Sequence, residues 1–143
     1  MGVITFNADA TSLTLNGTGI VDFIEGDILE LAPVNPLTTH QNGSDGAVNI
    51  TKRVDGGVHD LTVRVTKYSD ADIFLNARLN ESSLVVFNGS LKENFNKDGS
   101  DGMESWLLEN GSFTDRPKST KNNQAGNSTM EYKIRFRDCT RNI

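Results

Sequence analysis

At 143 residues, with 36% hydrophobic and 23% charged residues, the chain suits one domain with a real core and lacks the composition of a disordered polymer. Its net charge of −5 and isoelectric point near 4.9 exclude a protein that grips nucleic acid through clustered phosphate contacts. No apolar run exceeds four residues, as in Leu84-Val85-Val86-Phe87, far short of the roughly 20 that span a membrane.

The first residues carry neither a basic nor an apolar leader region, which predicts no cleaved secretion signal. A lone cysteine, Cys139, cannot form an internal disulfide and fits a reducing compartment. Seven Asn-x-Ser/Thr sequons, at Asn16, Asn42, Asn49, Asn80, Asn88, Asn110 and Asn127, read as a by-product of turn-rich composition.

Period-two alternation dominates the chain. It begins at Val3 to Phe6 and resumes at Ser12 to Leu15, a strand closed by Asn16-Gly17. Residues 19–31 form an acidic strand region with a bend expected at Gly26. The polar stretch from Pro36 to Gly46, PLTTHQNGSDG, is longer than the two to five residues a simple hairpin turn needs. Its length and polarity predict a projecting arm over residues 32–47. Residues 47–52 alternate again, Asp55-Gly56-Gly57 signals a tight turn, and residues 59–67 are the clearest strand, with Leu61, Val63 and Val65 on one face.

Residues 69–80 break the pattern. Ser69 or Asp70 can cap a helix, and Ile73, Phe74, Ala77 and Leu79 lie near helical spacing with Leu75 on a flank. A strand over 84–95 with a bend at Gly89 follows, then an ambiguous stretch at 103–108 and a short extended run at Ser112-Phe113. Residues 116–128, RPKSTKNNQAGNS, read as a polar loop, and residues 129–138 as the last strand. About eight strands and one short flanking helix predict a mainly β, antiparallel sandwich or barrel in one domain over 1–143, with a long projecting loop or hairpin.

Catalytic and metal chemistry is thinly represented. His40 and His59 have no metal-ligand spacing and read as surface residues; Cys139 reads as a small core hydrophobe. Residues Asn94 to Gly99 match part of a calcium loop, but its twelfth position is Ser105 where a bidentate Glu is required, so a polar turn is expected. No cofactor is expected. In the last strand, Lys133, Arg135 and Arg137 share one face; the bland reading is a solvated surface, the sharper one a basic patch that meets an acidic patch on another subunit. Asp22, Glu25, Asp27 and Glu30 admit two readings: a catalytic carboxylate pair, or an acidic surface that repels phosphate and lets DNA slide without sticking.

The order of features has a likeness. An acidic strand leads to a polar segment ending in Gly43-Ser44-Asp45-Gly46. An alternating strand with Lys52 and Arg53 follows, then a glycine turn and a Leu-Thr-Val-Arg-Val strand at 61–65. Last comes Lys67-x-Ser69 before a helix containing Asp72, Leu75 and Asn76. Over about Gly19 to Asn80 this resembles the tail tube proteins of contractile-tailed bacteriophages, related to the tube proteins of contractile injection systems and type VI secretion.

The resemblance implies a non-enzymatic β-sandwich that forms stacked, hexameric rings around a lumen through which the genome is ejected into the host. It also implies a continuous barrel of inner strands and a long arm reaching the next ring. Expected partners are other copies of the chain and the sheath, tape-measure, baseplate and tail terminator proteins. DNA would pass without specific binding, no segment would span a membrane, and the protein would sit in the virion tail after assembly in the bacterial cytoplasm. On this reading Asp22, Glu25, Asp27 and Glu30 line the lumen. Leu37, Thr38, Thr39, His40, Gln41, Asn42 and Asp45 make inter-ring contacts, and Lys133, Arg135 and Arg137 make inter-subunit contacts.

Two other classes compete. A carbohydrate- or receptor-binding sandwich would cluster exposed aromatic rings, whereas Tyr68, Trp106 and Tyr132 are spread along the chain. A hydrolase would rest on the acidic residues between Asp22 and Glu30 without a second kind of catalytic partner.

Overall fold

The computed structural model describes residues 2–21, 23, 29–121, 123 and 128–143, and for residues 6–10 the backbone alone. In chain order the strands are β1 (Ile4–Leu15), β2 (Thr18–Ile20), β3 (Leu29–Pro33), β4 (Thr38–Asn42), β5 (Val48–Lys52) and β6 (His59–Thr66). After the helix α1 (Asp70–Leu79) come β7 (Phe87–Lys97), β8 (Ser100–Phe113), β9 (Lys118–Thr120) and β10 (Thr129–Asn142). One antiparallel sheet runs β2-β1-β7-β8-β10-β6-β3, with β9 also paired to β10, while β4 and β5 form a separate two-stranded ribbon.

The sheet folds back on itself because β8 and β10 each break their alternation at the same level. In β8 the buried residues Leu108 and Gly111 are three apart, with Asn110 between them at φ 54°. In β10, Tyr132, Ile134 and Phe136 alternate as buried residues, after which Arg137 and Asp138 are both exposed. Strands that bend at irregularities can serve both layers of a sandwich. Here β1, β7 and the near parts of β8 and β10 make one half; β6, β3 and the far part of β10 make the other.

An asparagine ladder pins this bend. The Asn88 backbone N–H donates to Asn16 Oδ1 at 2.9 Å, and the Asn110 N–H donates to Asn88 Oδ1 at 3.0 Å. Asn16 also donates through Nδ2 to the Val86 carbonyl at 3.1 Å. Both Asn16 and Asn110 have positive φ, a conformation Asn tolerates better than most residues. Three of the sequons are thus structural turn residues. The bend expected at Gly89 is present as a register shift between Phe87 and Gly89. A Cβ at Gly89 would stand 1.9 Å from the Thr14 carbonyl oxygen, so only glycine fits between the strands.

The core joins both halves: Leu13 and Leu15 of β1, Leu61, Val63 and Val65 of β6, Leu108, and Tyr132, Ile134 and Phe136 of β10. Helix α1 closes one side. Ser69 caps it, accepting from the Asp72 N–H at 3.3 Å, with Asp70 and Asp72 in its first turn. Its apolar face differs from the sequence expectation: Ala71 and Leu75 are buried, whereas Ile73 is 62% exposed. The cause is Asp72, whose Oδ1 accepts from Tyr132 Oη at 2.6 Å and whose Oδ2 accepts from the Tyr68 N–H at 2.9 Å. That anchor fixes the helix's rotation and turns the Ala71/Leu75 stripe inward.

Three other expectations change. The runs at 103–108 and 112–113 are one strand, β8. The polar loop at 116–128 contains β9, which has no apolar residue and is held by its pairing to Thr129–Glu131. Residues 48–52 do not join β6 across a tight turn; β5 pairs with β4. Asp55 to Gly57 instead sit at the foot of the ribbon, where the Val58 N–H donates to the Asp55 carbonyl.

Candidate functional site

The β4–β5 ribbon makes the projecting arm longer than residues 32–47, because its return strand is 48–52. Direct pairs are Thr38 with Lys52, His40 with Ile50 and Asn42 with Val48, so these six side chains share one face. Thr39 and Gln41 lie on the other face, opposite Thr51 and Asn49. At the tip, Asp45 Oδ1 accepts from the Ala47 N–H at 3.0 Å and Gly46 has φ 86°, a local turn that needs no contact with the rest of the chain. Every residue of β5 is exposed. Val48 and Ile50, at 56% and 64% exposure, stand apolar side chains in water, with no described residue of the chain burying them.

At the foot of the ribbon, the Arg53 N–H donates to the Leu37 carbonyl at 2.9 Å, and the Val34 N–H to the Val58 carbonyl at 3.0 Å. Arg53 also holds Asp55 in a two-pronged ion pair at 2.9 and 3.0 Å, which keeps the Asp55 carboxyl below its ordinary pKa. Beside the foot lies a groove of about 960 Å³, lined by Leu37, Val54, His59, Trp106 and Cys139 among others. His59 meets Trp106 edge-on at 5.7 Å between ring centres. The Trp106 Nε1–H donates to Glu104 Oε1 at 3.1 Å, and Arg141 Nε donates to Glu104 Oε2 at 2.7 Å. His59 is therefore partly enclosed. Among the aromatic residues, Trp106 faces this groove, Tyr132 is core and Tyr68 is exposed, so these three form no ring platform on one surface.

The two halves of the sheet present different outer faces. On the β6 half, Arg64 pairs with Glu131 at 3.0 Å, and Arg135 pairs with Asp60 at 2.7 and 3.1 Å. Lys133 and Glu30 lie on this same face, one on each side of Thr62. Of the basic trio, Lys133 and Arg135 share the face, Arg137 sits at the bend, and Arg135 is paired within the chain with Asp60. Glu30 is exposed on β3; Asp22, Glu25 and Asp27 lie outside the described residues, as does the bend expected at Gly26.

On the other half, the register places Ser12 and Thr14 of β1 beside Ser90 and Lys92 of β7, and Ser105 of β8 beside Asn142 of β10. Short hydroxyls and amides dominate there, and Leu107 and Met103 are the apolar exceptions. No pattern in the sequence marked this face, because it comes from four strands far apart in the chain.

Other chemistry is accounted for structurally. Asp98 and Gly99, with φ 53° and 82°, form the two-residue turn between β7 and β8, and Asp98 Oδ1 accepts from the Val3 N–H at 2.7 Å. This segment is a strand-joining turn. Among the described residues no three His, Cys, Asp or Glu side chains gather as metal ligands. Burial, then the charges of Asp138 and Glu109, pushes the Cys139 thiol up to about 12. Such a thiol carries almost no thiolate at neutral pH. No described helix is long and apolar enough to cross a membrane.

These elements make a curled antiparallel sheet with one capping helix and a separate two-stranded arm. Three solved structures share it across nearly the whole chain. One is Hcp1 from Flavobacterium johnsoniae, at a TM-score of 0.53 and 16% identity over 92% of this chain and 94% of that one. A chain of the PVC sheath–tube complex, an extracellular contractile injection system in its extended state, gives 0.64 and 9% over 96% and 91%. A chain of the anti-feeding prophage cap, the AFP tube terminating cap, gives 0.65 and 13% over the same shares. No family model and no curated protein matches the sequence.

Proposed function

We propose that this chain is the tube subunit of a contractile tail or injection particle. Copies associate side by side into rings, six to a ring, and the rings stack into a hollow conduit. The observation that carries this reading is the arm. Val48 and Ile50 are exposed beside His40 and Asn42 on one ribbon face, a surface that a neighbouring ring would cover. The shared fold supports the same reading, since it recurs in a sheath–tube complex and a tube terminating cap.

In the assembled tube, Leu37, Thr38, Thr39, His40, Gln41, Asn42 and Asp45 belong to the inter-ring contact, together with Val48 and Ile50. The channel is lined by the hydroxyl and amide face of β1, β7, β8 and β10, which offers a passing polymer few apolar or cationic holds. Glu30 lies on the outer face of the other half, with Lys133 and Arg135. The subunit acts without catalysis. A sheath surrounds the tube, tape-measure, baseplate and terminator proteins bound it, and its cargo is a genome moving from a virion tail into the host. Assembly takes place in the bacterial cytoplasm.

Electron microscopy of the arm-deleted protein tests the reading. Loss of residues 38–52 should leave folded subunits or single rings that no longer stack. Tubes of normal length formed without the arm would refute the inter-ring role.

A further inference from the structure

The chain carries Asn-Gly followed by Ser or Thr four times, at Asn16, Asn42, Asn88 and Asn110. A glycine after asparagine leaves the peptide link between them open to self-modification. The glycine nitrogen has no side chain beside it, and its backbone reaches conformations that other residues avoid. Once its proton leaves, that nitrogen can attack the asparagine Cγ. A new N–Cγ bond closes a five-membered succinimide, the Cγ–Nδ2 bond breaks, and Nδ2 departs as ammonia. Water then adds to either ring carbonyl and leaves aspartate or isoaspartate. The near-identical local sequences give the four sites similar intrinsic reactivity, so the fold decides among them.

Three of the sites are held by the main sheet. Asn16 Oδ1 accepts from the Asn88 N–H at 2.9 Å, and its Nδ2 donates to the Val86 carbonyl at 3.1 Å. That carboxamide must shed both bonds before it can react. Asn88 Oδ1 accepts from the Asn110 N–H at 3.0 Å, and Gly89 is paired on both sides, with Leu15 of β1 and Leu108 of β8. Gly111 is buried and paired with Phe87 and Phe136. Attack at Asn88 or Asn110 requires these central strands to part, an opening close to unfolding of the domain.

Asn42 differs. It ends β4 in an exposed position, and no described residue hydrogen-bonds its carboxamide. The Gly43 N–H donates to the Ala47 carbonyl at 2.6 Å, and that bond and the Asp45 turn hold the nitrogen back. The β4–β5 ribbon pairs with no other described strand, and a lone two-stranded ribbon is only marginally stable in water. Its tip opens far more often than the sheet does.

We infer that Asn42 is a site of spontaneous deamidation, and that conversion there disables the arm. Asn42 stands opposite Val48 on the face that also carries His40 and Ile50. Aspartate places a full negative charge beside that apolar pair, which a covering neighbour would have to desolvate. Isoaspartate adds a backbone carbon and shifts the register of the ribbon. The site is independent of the tube reading, whereas the loss of stacking rests on it.

Peptide mass mapping of the full chain, aged in mildly alkaline buffer, tests the site. Folded protein should gain acid at Asn42 at least about tenfold faster than at Asn16, Asn88 or Asn110. Protein aged in urea should convert all four at similar rates. Equal rates in the folded protein, or the same disparity in urea, overturn the assignment. In a second arm, aged subunits are concentrated and the tubes sedimented. Converted Asn42 should be enriched in the supernatant over the pellet by about tenfold or more. Equal partition overturns the effect on the arm and leaves the modification site standing. Failure of fresh protein to form tubes at all overturns the tube reading, and the comparison of the four sites is unaffected.

Discussion

Replacing Tyr132 by Phe removes one oxygen from the anchor that sets the helix on the sheet. Tyr132 is 1% exposed and its hydroxyl donates to Asp72 Oδ1 at 2.6 Å. The ring's own packing survives the change, so no cavity of consequence opens. What is lost is a hydrogen bond to a buried carboxylate, worth about 1.5–3 kcal/mol net. Asp72 keeps the Tyr68 N–H at 2.9 Å, which limits the loss to about 2 kcal/mol. For a chain of this size that lowers Tm by about 4–8 °C.

The same group has a pH signature. Burial first, and then the hydrogen bond and charge of Asp72, hold the Tyr132 hydroxyl far above the ordinary tyrosine value. A folded pKa raised above the unfolded one leaves the contribution intact below about pH 10 and removes it as pH climbs further. Urea titrations followed by circular dichroism should therefore show the variant losing stability at pH 7. It should also lack part of the decline that the parent protein shows above pH 10. A double-mutant cycle with Asp72→Asn should give a coupling of about 1 kcal/mol or more. A loss under about 0.5 kcal/mol, or identical alkaline profiles, would show that the helix is held by its apolar stripe alone.

Three further outcomes are expected. Gly89→Ala, which drives a methyl group into the Thr14 backbone, should cost about 3 kcal/mol or prevent folding, while Gly19→Ala, with open space around it, should change stability little in the same melts. Val48→Asp with Ile50→Asp should leave the monomer's Tm unchanged, because both residues are already exposed, yet abolish stacking by sedimentation; intact tubes would contradict the arm's role. Cys139 should react with a maleimide at pH 7 at least about 100-fold more slowly than an exposed cysteine, and ordinary labelling kinetics would refute the raised thiol pKa.

Much of the fold was legible because alternation and capping are local. The Leu61, Val63, Val65 stripe, the Ser69 cap, the bend at Gly89 and the last strand all follow from residues adjacent in the chain. The arm was legible as excess length, yet its return strand was not. Val48 to Lys52 alternates in the same way whether it joins a main sheet or a free ribbon, because period two does not name a partner. β9 was invisible for the related reason that Lys118-Ser119-Thr120 becomes a strand only through β10. The helix face was misjudged because one polar contact, Asp72 to Tyr132, spans 60 positions in sequence and outranks the weak apolar spacing. The bend at Asn110 depends on Asn88 and Asn16; three of the four Asn-Gly-Ser/Thr motifs in the chain were the available signal, and they read as ordinary turns.

The most direct test of the tube assignment is a cryo-electron microscopy map of the protein purified at high concentration. The expected result is stacked rings with an open centre, the hydroxyl and amide face of β1, β7, β8 and β10 toward that channel, and each arm seated on the adjoining ring. A protein that stays monomeric at every concentration, or that assembles with the β4–β5 arm free of any neighbour, would contradict it.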